Sequence, residues 1–152
     1  MEKVDLIQLV VTLYAALPGI SNYAVPNEMP EVHVLPRAVL HDLVCGSPCH
    51  IQAIYHPDFG LMLSEELNIE HSLYDRSVVF HELVHHVQHV NAKFGELHTA
   101  CEQRAAAEQE AYQLQNRYLA ANGYSQPVPV LNWFRLCQKQ EAREGQMLLS
   151  FE

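Results

Sequence analysis

Apolar residues recur every three to four positions near the start of the chain and through its second half, which predicts amphipathic helices there. The predicted helices are residues 3–17, 75–92, 99–121 and, more weakly, 130–144. Pro18-Gly19 ends the first, and Ser72 or Asp75 caps the second. The third begins with the capping box Thr99-Ala-Cys-Glu102 and ends at Asn122-Gly123.

Short apolar segments between the first two helices predict strands rather than helices. The predicted strands are residues 31–35, 50–56 and 60–64, and a loop is expected over residues 21–30. Pro57-Asp-Phe-Gly60 has the composition of a hairpin loop. Pro36 opens a short helix to Val44, with Leu40, Leu43 and Val44 facing inward. The pattern therefore predicts an α+β fold with a small three-stranded sheet, in one domain over residues 1–152.

Composition narrows the classes of partner. The chain is 49% hydrophobic and 18% charged, as in ordinary globular proteins, and its 18 acidic and 9 basic side chains give a net charge of −9. This charge argues against nucleic acid or an anionic membrane as a partner. The apolar run from Leu6 to Ile20 is too short to span a bilayer.

The four cysteines bear on the compartment. Cys45 and Cys49 are too far apart in sequence for a two-residue redox or zinc-knuckle spacing, and Cys101 and Cys137 complete the even count. Disulfides in an exported protein and thiols in a cytosolic one both fit, and we favour a disulfide that includes Cys49. Residues 1–5 carry no positive excess and make a poor signal peptide. We expect an exported protein whose signal is absent from this chain.

The spacing His81-Glu-Leu-Val-His85 lies inside the second predicted long helix. On a helix the two histidines stand about 6 Å apart on one face, where neutral imidazoles can share a Zn²⁺ ion. Glu82 then lies beside the open position of the metal, as a general base. Ten histidines in the chain make a chance match appreciable, so the motif requires support from a third ligand.

A third histidine on the same helix does not fit. His89 is about 12 Å from His81 along the axis, too far for His81, His85 and His89 to meet one ion. In the longer motif His-Glu-x-x-His-x-x-Gly-x-x-His the chain turns at the glycine. Gln88 and Asn91 occupy the glycine and third histidine positions here, so that class is excluded.

A carboxylate of the following helix is the remaining choice. Glu108 shares its helical face with small and apolar residues, whereas Glu110 points to the opposite, solvent face and Glu102 belongs to the capping box. This favours Glu108 over Glu110 as the third ligand. Arg104, one turn before Glu108, is an alternative cation for that carboxylate.

The histidine pair and the glutamate helix together resemble the motifs of a known enzyme family. His81-Glu-Leu-Val-His85, followed on a separate helix by Glu108-Gln-Glu-Ala-Tyr112, resembles the gluzincin metallopeptidases and their smallest members, the minigluzincins. The resemblance covers about residues 31–122 and implies a zincin-like fold, in which a glutamate helix follows the metal helix. Where the family usually has Asp or Asn, to hold a metal-bound histidine, this chain has Tyr112. Its hydroxyl is expected either to accept that hydrogen bond or to stabilise an oxyanion.

The resemblance implies a zinc-dependent peptidase acting on a peptide or protein substrate. His81, His85 and Glu108 hold the ion, Glu82 moves the proton, and residues 60–64 form the sheet edge that aligns an extended peptide. Further oxyanion donors would come from Tyr74, Tyr124, His86 or His89. The alternative is a non-catalytic, zinc-bearing protein interaction module with the same fold.

Overall fold

Five helices and a three-stranded mixed sheet form the part of the chain that the computed structural model describes, residues 3–94 and 100–138. The α+β prediction is confirmed. In chain order the elements are α1 Lys3–Ile20, β1 Val32–Leu35, α2 Arg37–Val44, β2 Ala53–His56, β3 Gly60–Ser64, α3 Leu73–Val90, α4 Ala100–Ala121 and α5, described over residues 133–138. None of the described helices is both long and apolar enough to cross a membrane.

The first helix extends beyond its predicted end. α1 continues through Pro18 to Ile20, so the prediction that Pro18-Gly19 ends it was wrong. The backbone N–H and the hydroxyl of Ser21 both donate to Leu17 O, at 2.8 and 3.0 Å, and Leu17 is fully buried. These bonds hold the last turn although proline cannot donate to the turn before it.

The sheet has the strand order β1-β3-β2. β1 runs parallel to β3, with Val32 opposite Leu61, and β2 runs antiparallel to it, with Ala53 opposite Leu63. The most apolar strand takes the centre: Leu61 and Leu63 are fully buried on one face, and on the other face Ser64 is buried and Met62 is partly buried. The expectation that residues 60–64 form a sheet edge was therefore wrong, and β2 is the edge beside α3.

A buried histidine explains why β2 starts later than predicted. His41 on α2 is only 3% exposed, its Nε2 lies 3.0 Å from Ile51 O, and its Nδ1 accepts from Cys49 N. These bonds engage the backbone at Cys49 and Ile51, just before the strand begins at Ala53. Leu43, predicted to face inward, is 65% exposed, because α2 turns Leu40 and His41 inward instead.

Gly60 closes the β2–β3 hairpin against the start of β1. Its φ of +84° is favoured by glycine alone, and a Cβ there would lie 2.5 Å from Glu31 O. The neighbouring Leu61 N donates to the same oxygen at 2.8 Å, so the backbone cannot move away without losing that bond.

Substituting this glycine is expected to destabilise the fold. Gly60→Ala should lower the free energy of unfolding by more than about 2 kcal/mol, because backbone strain and a steric clash add. Gly123→Ala is the matched control: φ is +82°, but no atom lies within 4 Å of the added Cβ. Its cost should stay near 1 kcal/mol. Urea denaturation of both variants measures the difference, and equal costs would contradict the close approach to Glu31.

The core lies between α1, α3, α4 and the inner face of the sheet. Its largest fully buried side chain is Phe80 of α3, which stacks on Tyr118 of α4 with ring centroids 4.8 Å apart. α3 begins at Leu73, two residues earlier than predicted, and Ser72 is its cap, since the Ser72 hydroxyl accepts from Asp75 N at 3.1 Å. This burial fixes α3 with its histidine face toward α4.

Two disulfides join the cysteines as Cys45–Cys49 and Cys101–Cys137. The first agrees with the expectation for Cys49, and the second ties the start of α4 to α5. Thr99 of the predicted capping box lies outside the described residues, as do positions 139–144 of the last predicted helix.

Candidate metal centre

Two histidines of α3 and one glutamate of α4 meet at the interface between these helices. His85 Nε2 lies 2.7 Å from Glu108 Oε1, and His81 Nε2 lies 3.3 Å from Glu108 Oε2. The three side chains are 8%, 16% and 24% exposed for His81, His85 and Glu108. One ligand atom from each lies within 4.8 Å of the others, so the group could hold a metal ion.

Two glutamines orient the imidazoles. Gln115 Oε1 lies 3.0 Å from His81 Nδ1, and Gln88 Oε1 lies 2.9 Å from His85 Nδ1. The amide nitrogens fix which way the glutamines point: that of Gln115 donates to Ser77 Oγ, and that of Gln88 donates to Ala107 O. Each histidine therefore donates its Nδ1–H to an amide oxygen.

With Nδ1 bonded to an amide oxygen, Nε2 is the ring nitrogen of each histidine that faces Glu108, and it is the nitrogen available to a metal ion. His85 Nε2 is buried and makes no well-aligned hydrogen bond, although a carboxylate oxygen lies 2.7 Å away. Two imidazoles and one carboxylate, with the orphaned Nε2 of His85 among their donor atoms, suit a small divalent cation. Nitrogen and oxygen donors of this kind are those of three-ligand zinc sites.

Charge at the site also favours a cation. Burial raises the pKa of Glu108, but its contacts with His81 and His85 outweigh this and lower the pKa to about 2. Burial lowers the pKa of His85, but contact with Glu108 and the charge of Glu82 raise it to about 9. The two carboxylates thus favour a positive charge at this point.

Glu82 lies on the same turn of α3 and faces the sheet edge. Its Oε2 accepts a hydrogen bond of 2.8 Å from Tyr55 N of β2. Burial raises the pKa of Glu82, while the nearby His85 and His81 and the Tyr55 N–H oppose that rise. The carboxylate is thereby fixed beside the candidate metal group without being part of it.

Gln115 takes the hydrogen-bonding role expected for Tyr112. The Tyr112 ring packs edge-on against His81, with centroids 4.4 Å apart, and stacks on Trp133 at 6.3 Å. Burial, followed by the charges of Glu108 and Glu82, raises the pKa of Tyr112, so the phenol keeps its proton. Because Gln115 already accepts from His81, only the second role expected for the Tyr112 hydroxyl, oxyanion stabilisation, stays a prediction.

Glu110 does not face solvent, so that expectation was wrong. It is partly buried, and its Oε1 accepts from the Tyr23 hydroxyl and from Gln88 Nε2, the latter at 3.1 Å. Tyr23, in the loop before β1, covers this side of α4, which helical periodicity alone does not reveal. Glu110 therefore supports Gln88, and through it His85, while Glu108 contacts the histidines directly.

A cleft of about 1080 Å³ opens over the candidate metal centre. Residues 50–55, residues of α3 and α4, and Trp133 of α5 line this cleft. Tyr74, His89 and Tyr112 line this cleft, whereas Tyr124 lines a separate groove on α4. His86 instead packs on Tyr55, its Nδ1 lying 3.0 Å from the Tyr55 hydroxyl.

The glutamines were missed by sequence reasoning, although a signal exists. Gln88 follows His81 by seven residues, and Gln115 follows Glu108 by seven. Seven residues are about two helical turns, so each glutamine lies on the same helical face as a candidate metal ligand. A buried amide on a ligand-bearing face is a candidate partner for a metal-bound histidine.

Removing one of these amides is expected to weaken metal binding. Gln115→Leu should lower zinc affinity by about 10–100-fold, because His81 loses the acceptor that fixes its ring and tautomer. Gln115→Glu retains an acceptor, and its zinc affinity should be closer to that of the parent. Competition with a chromogenic chelator measures the affinities, and Gln113→Leu, at an exposed position of α4, is the control. Unchanged affinity in Gln115→Leu would contradict the orienting role.

Residues 2–145 match a family described as a domain of unknown function, DUF6647, and the chain belongs to that family. No curated protein and no solved structure matches the chain.

Proposed function

We propose that the protein is a zinc-dependent peptidase with a zincin-like fold. The observation that carries the proposal is the placement of Glu82: its carboxylate lies between a His₂Glu group and the free edge of the sheet, in the floor of an open cleft. His81, His85 and Glu108 would hold the ion. A zinc ion on three protein ligands supplies Lewis-acid chemistry, polarising a carbonyl and lowering the pKa of water at its open position.

Glu82 is suited to the proton transfer. One oxygen, Oε2, is occupied by Tyr55 N, and Oε1 makes no hydrogen bond to the described residues. Oε1 would take a proton from the attacking water and deliver it to the leaving amine. Burial raises the pKa of this carboxylate and so favours reversible proton uptake.

The edge of β2 is suited to holding an extended peptide. Gln52 O accepts from Ser64 N, so alternation along the ladder directs the backbone groups of Gln52, Ile54 and His56 toward β3. Those of Ala53 and Tyr55 point the other way, as the bond from Tyr55 N to Glu82 requires. A substrate strand would pair with Ala53, next to the candidate metal centre.

We also propose that the protein works in an oxidising compartment, as an exported protein. The four cysteines form two disulfides, and structural disulfides persist mainly outside the reducing cytosol.

Metal removal tests the proposed activity. Zinc-loaded protein should cleave members of a peptide library, chelation should abolish cleavage, and added Zn²⁺ should restore it. Mass spectrometry of the products identifies the cleaved bonds. Stoichiometric zinc binding without cleavage of any peptide would favour the non-catalytic interaction module, and no zinc binding would overturn both.

A further inference from the structure

One end of the cleft carries cationic side chains that the proposed chemistry does not use. Lys93 and Arg104 both line the cleft, whereas the chain as a whole has a net charge of −9. The other end, near the start of α3, carries Asp75, whose carboxylate accepts from Asn68 N at 2.8 Å.

The packing of α3 against α4 places these cations together. Gln115, late in α4, contacts Ser77 and His81 in the first half of α3. Gln88, near the end of α3, contacts Ala107 in the first half of α4. The two helices therefore run antiparallel. The end of α3 therefore lies beside the start of α4, which brings Lys93 and Arg104 to the same end of the cleft.

Both charges are available to a ligand. Within residues 3–94 and 100–138, neither side chain forms an ion pair, and both are exposed. The Lys93 ammonium lies 5.9 Å from the centroid of the Tyr23 ring, a contact that supplies no formal negative charge. Two carboxylates of α4 are engaged by other groups, Glu108 by the two histidines and Glu110 by Tyr23 and Gln88.

The spacing of Arg104 and Glu108 along α4 indicates how far this end of the cleft lies from the candidate metal centre. Arg104 precedes Glu108 by four residues, about 6 Å along the helix axis. An extended peptide advances about 3.3 Å per residue, so 6 Å corresponds to about two residues.

We propose that the cleft selects peptides carrying an Asp or Glu side chain about two residues from the scissile bond, bound by Arg104 and Lys93. This inference rests on the proposed peptidase function and names its substrate class. Arg104 can meet a carboxylate with two parallel N–H donors, and Lys93 adds a second positive charge.

Cleavage of matched peptides tests the selectivity. Starting from a peptide that the zinc-loaded protein cleaves, Glu and Gln are placed in turn at each of the three positions on either side of the cleaved bond. The peptide with Glu at one position about two residues from that bond should show a kcat/KM roughly 2–5-fold above its Gln counterpart, as expected for a partly exposed charge pair. The ratio should fall as salt is added.

Variants assign the selectivity to the two cations. Arg104→Gln with Lys93→Gln should bring the Glu/Gln ratio to about one. Arg117→Gln, an exposed arginine on α4 outside the cleft, should leave the ratio as in the parent. A Glu/Gln ratio near one in the parent, or one that survives in the double variant, overturns the proposal.

A binding measurement separates this inference from the proposed activity. Fluorescence anisotropy with the zinc-loaded Glu82→Gln variant gives the Kd of labelled Glu and Gln peptides whether or not the protein cleaves them. If no peptide is cleaved, the peptidase proposal fails, and tighter binding of Glu peptides that is lost in the double variant still supports the acidic subsite. Equal Kd values for the two peptides overturn it.

Discussion

Glu82→Gln is expected to lower peptide hydrolysis by about 10²–10⁴-fold, the usual contribution of a general acid–base group. The amide oxygen of glutamine can still accept the hydrogen bond from Tyr55 N, so the fold and the cleft should be unchanged. The variant loses only the ability to take a proton from water. Steady-state kinetics on a cleaved library peptide measures the effect.

Zinc content is the control for this variant. Glu82 is not among the three grouped ligand residues, so Glu82→Gln should bind zinc with the parent affinity and stoichiometry. Hydrolysis at the parent rate in a zinc-loaded variant would remove Glu82 from the mechanism. Loss of zinc would instead mean that Glu82 contributes to the metal site.

Glu108→Gln is expected to lower zinc affinity by more than about 100-fold, beyond the loss seen for residues that only orient a ligand. The neutral amide removes the negative charge that contacts His81 and His85 at 3.3 and 2.7 Å. Glu110→Gln is the matched comparison two residues along the same helix, where the acidic group contacts Gln88 and not the histidines.

The two glutamate variants should therefore differ in zinc affinity. Glu110→Gln retains an oxygen that accepts from Gln88 and should lose at most about 10-fold in zinc affinity. Chelator competition and zinc-dependent thermal shifts report both variants. A larger loss in Glu110→Gln than in Glu108→Gln would assign the third ligand to Glu110.

Local sequence information predicted the long helices and the histidine pair. Apolar periodicity indicated the extents of α3 and α4 to within a few residues, and the spacing of His81 and His85 follows from helix geometry alone. The preference for Glu108 also came from periodicity, because its face of α4 is the one that packs on α3.

Features that depend on distant contacts were not predictable in this way. β3 lies at the centre of the sheet because β1, nearly thirty residues earlier, pairs with it, and strand order is not encoded in the pattern of either strand. Glu110 is covered by Tyr23, a loop residue far away in the chain. His41 is buried because it satisfies the backbone of residues 49–51.

The candidate metal centre and the rest of the cleft lining come from different elements of the chain, so the two can diverge separately during evolution. The three candidate ligands and both glutamines lie on α3 and α4, between residues 81 and 115. β2 and α5 line the cleft but contribute none of these five side chains. Substitutions in the strand or in the last helix can therefore alter which molecules fit the cleft while the paired helices keep all five side chains of the candidate metal centre.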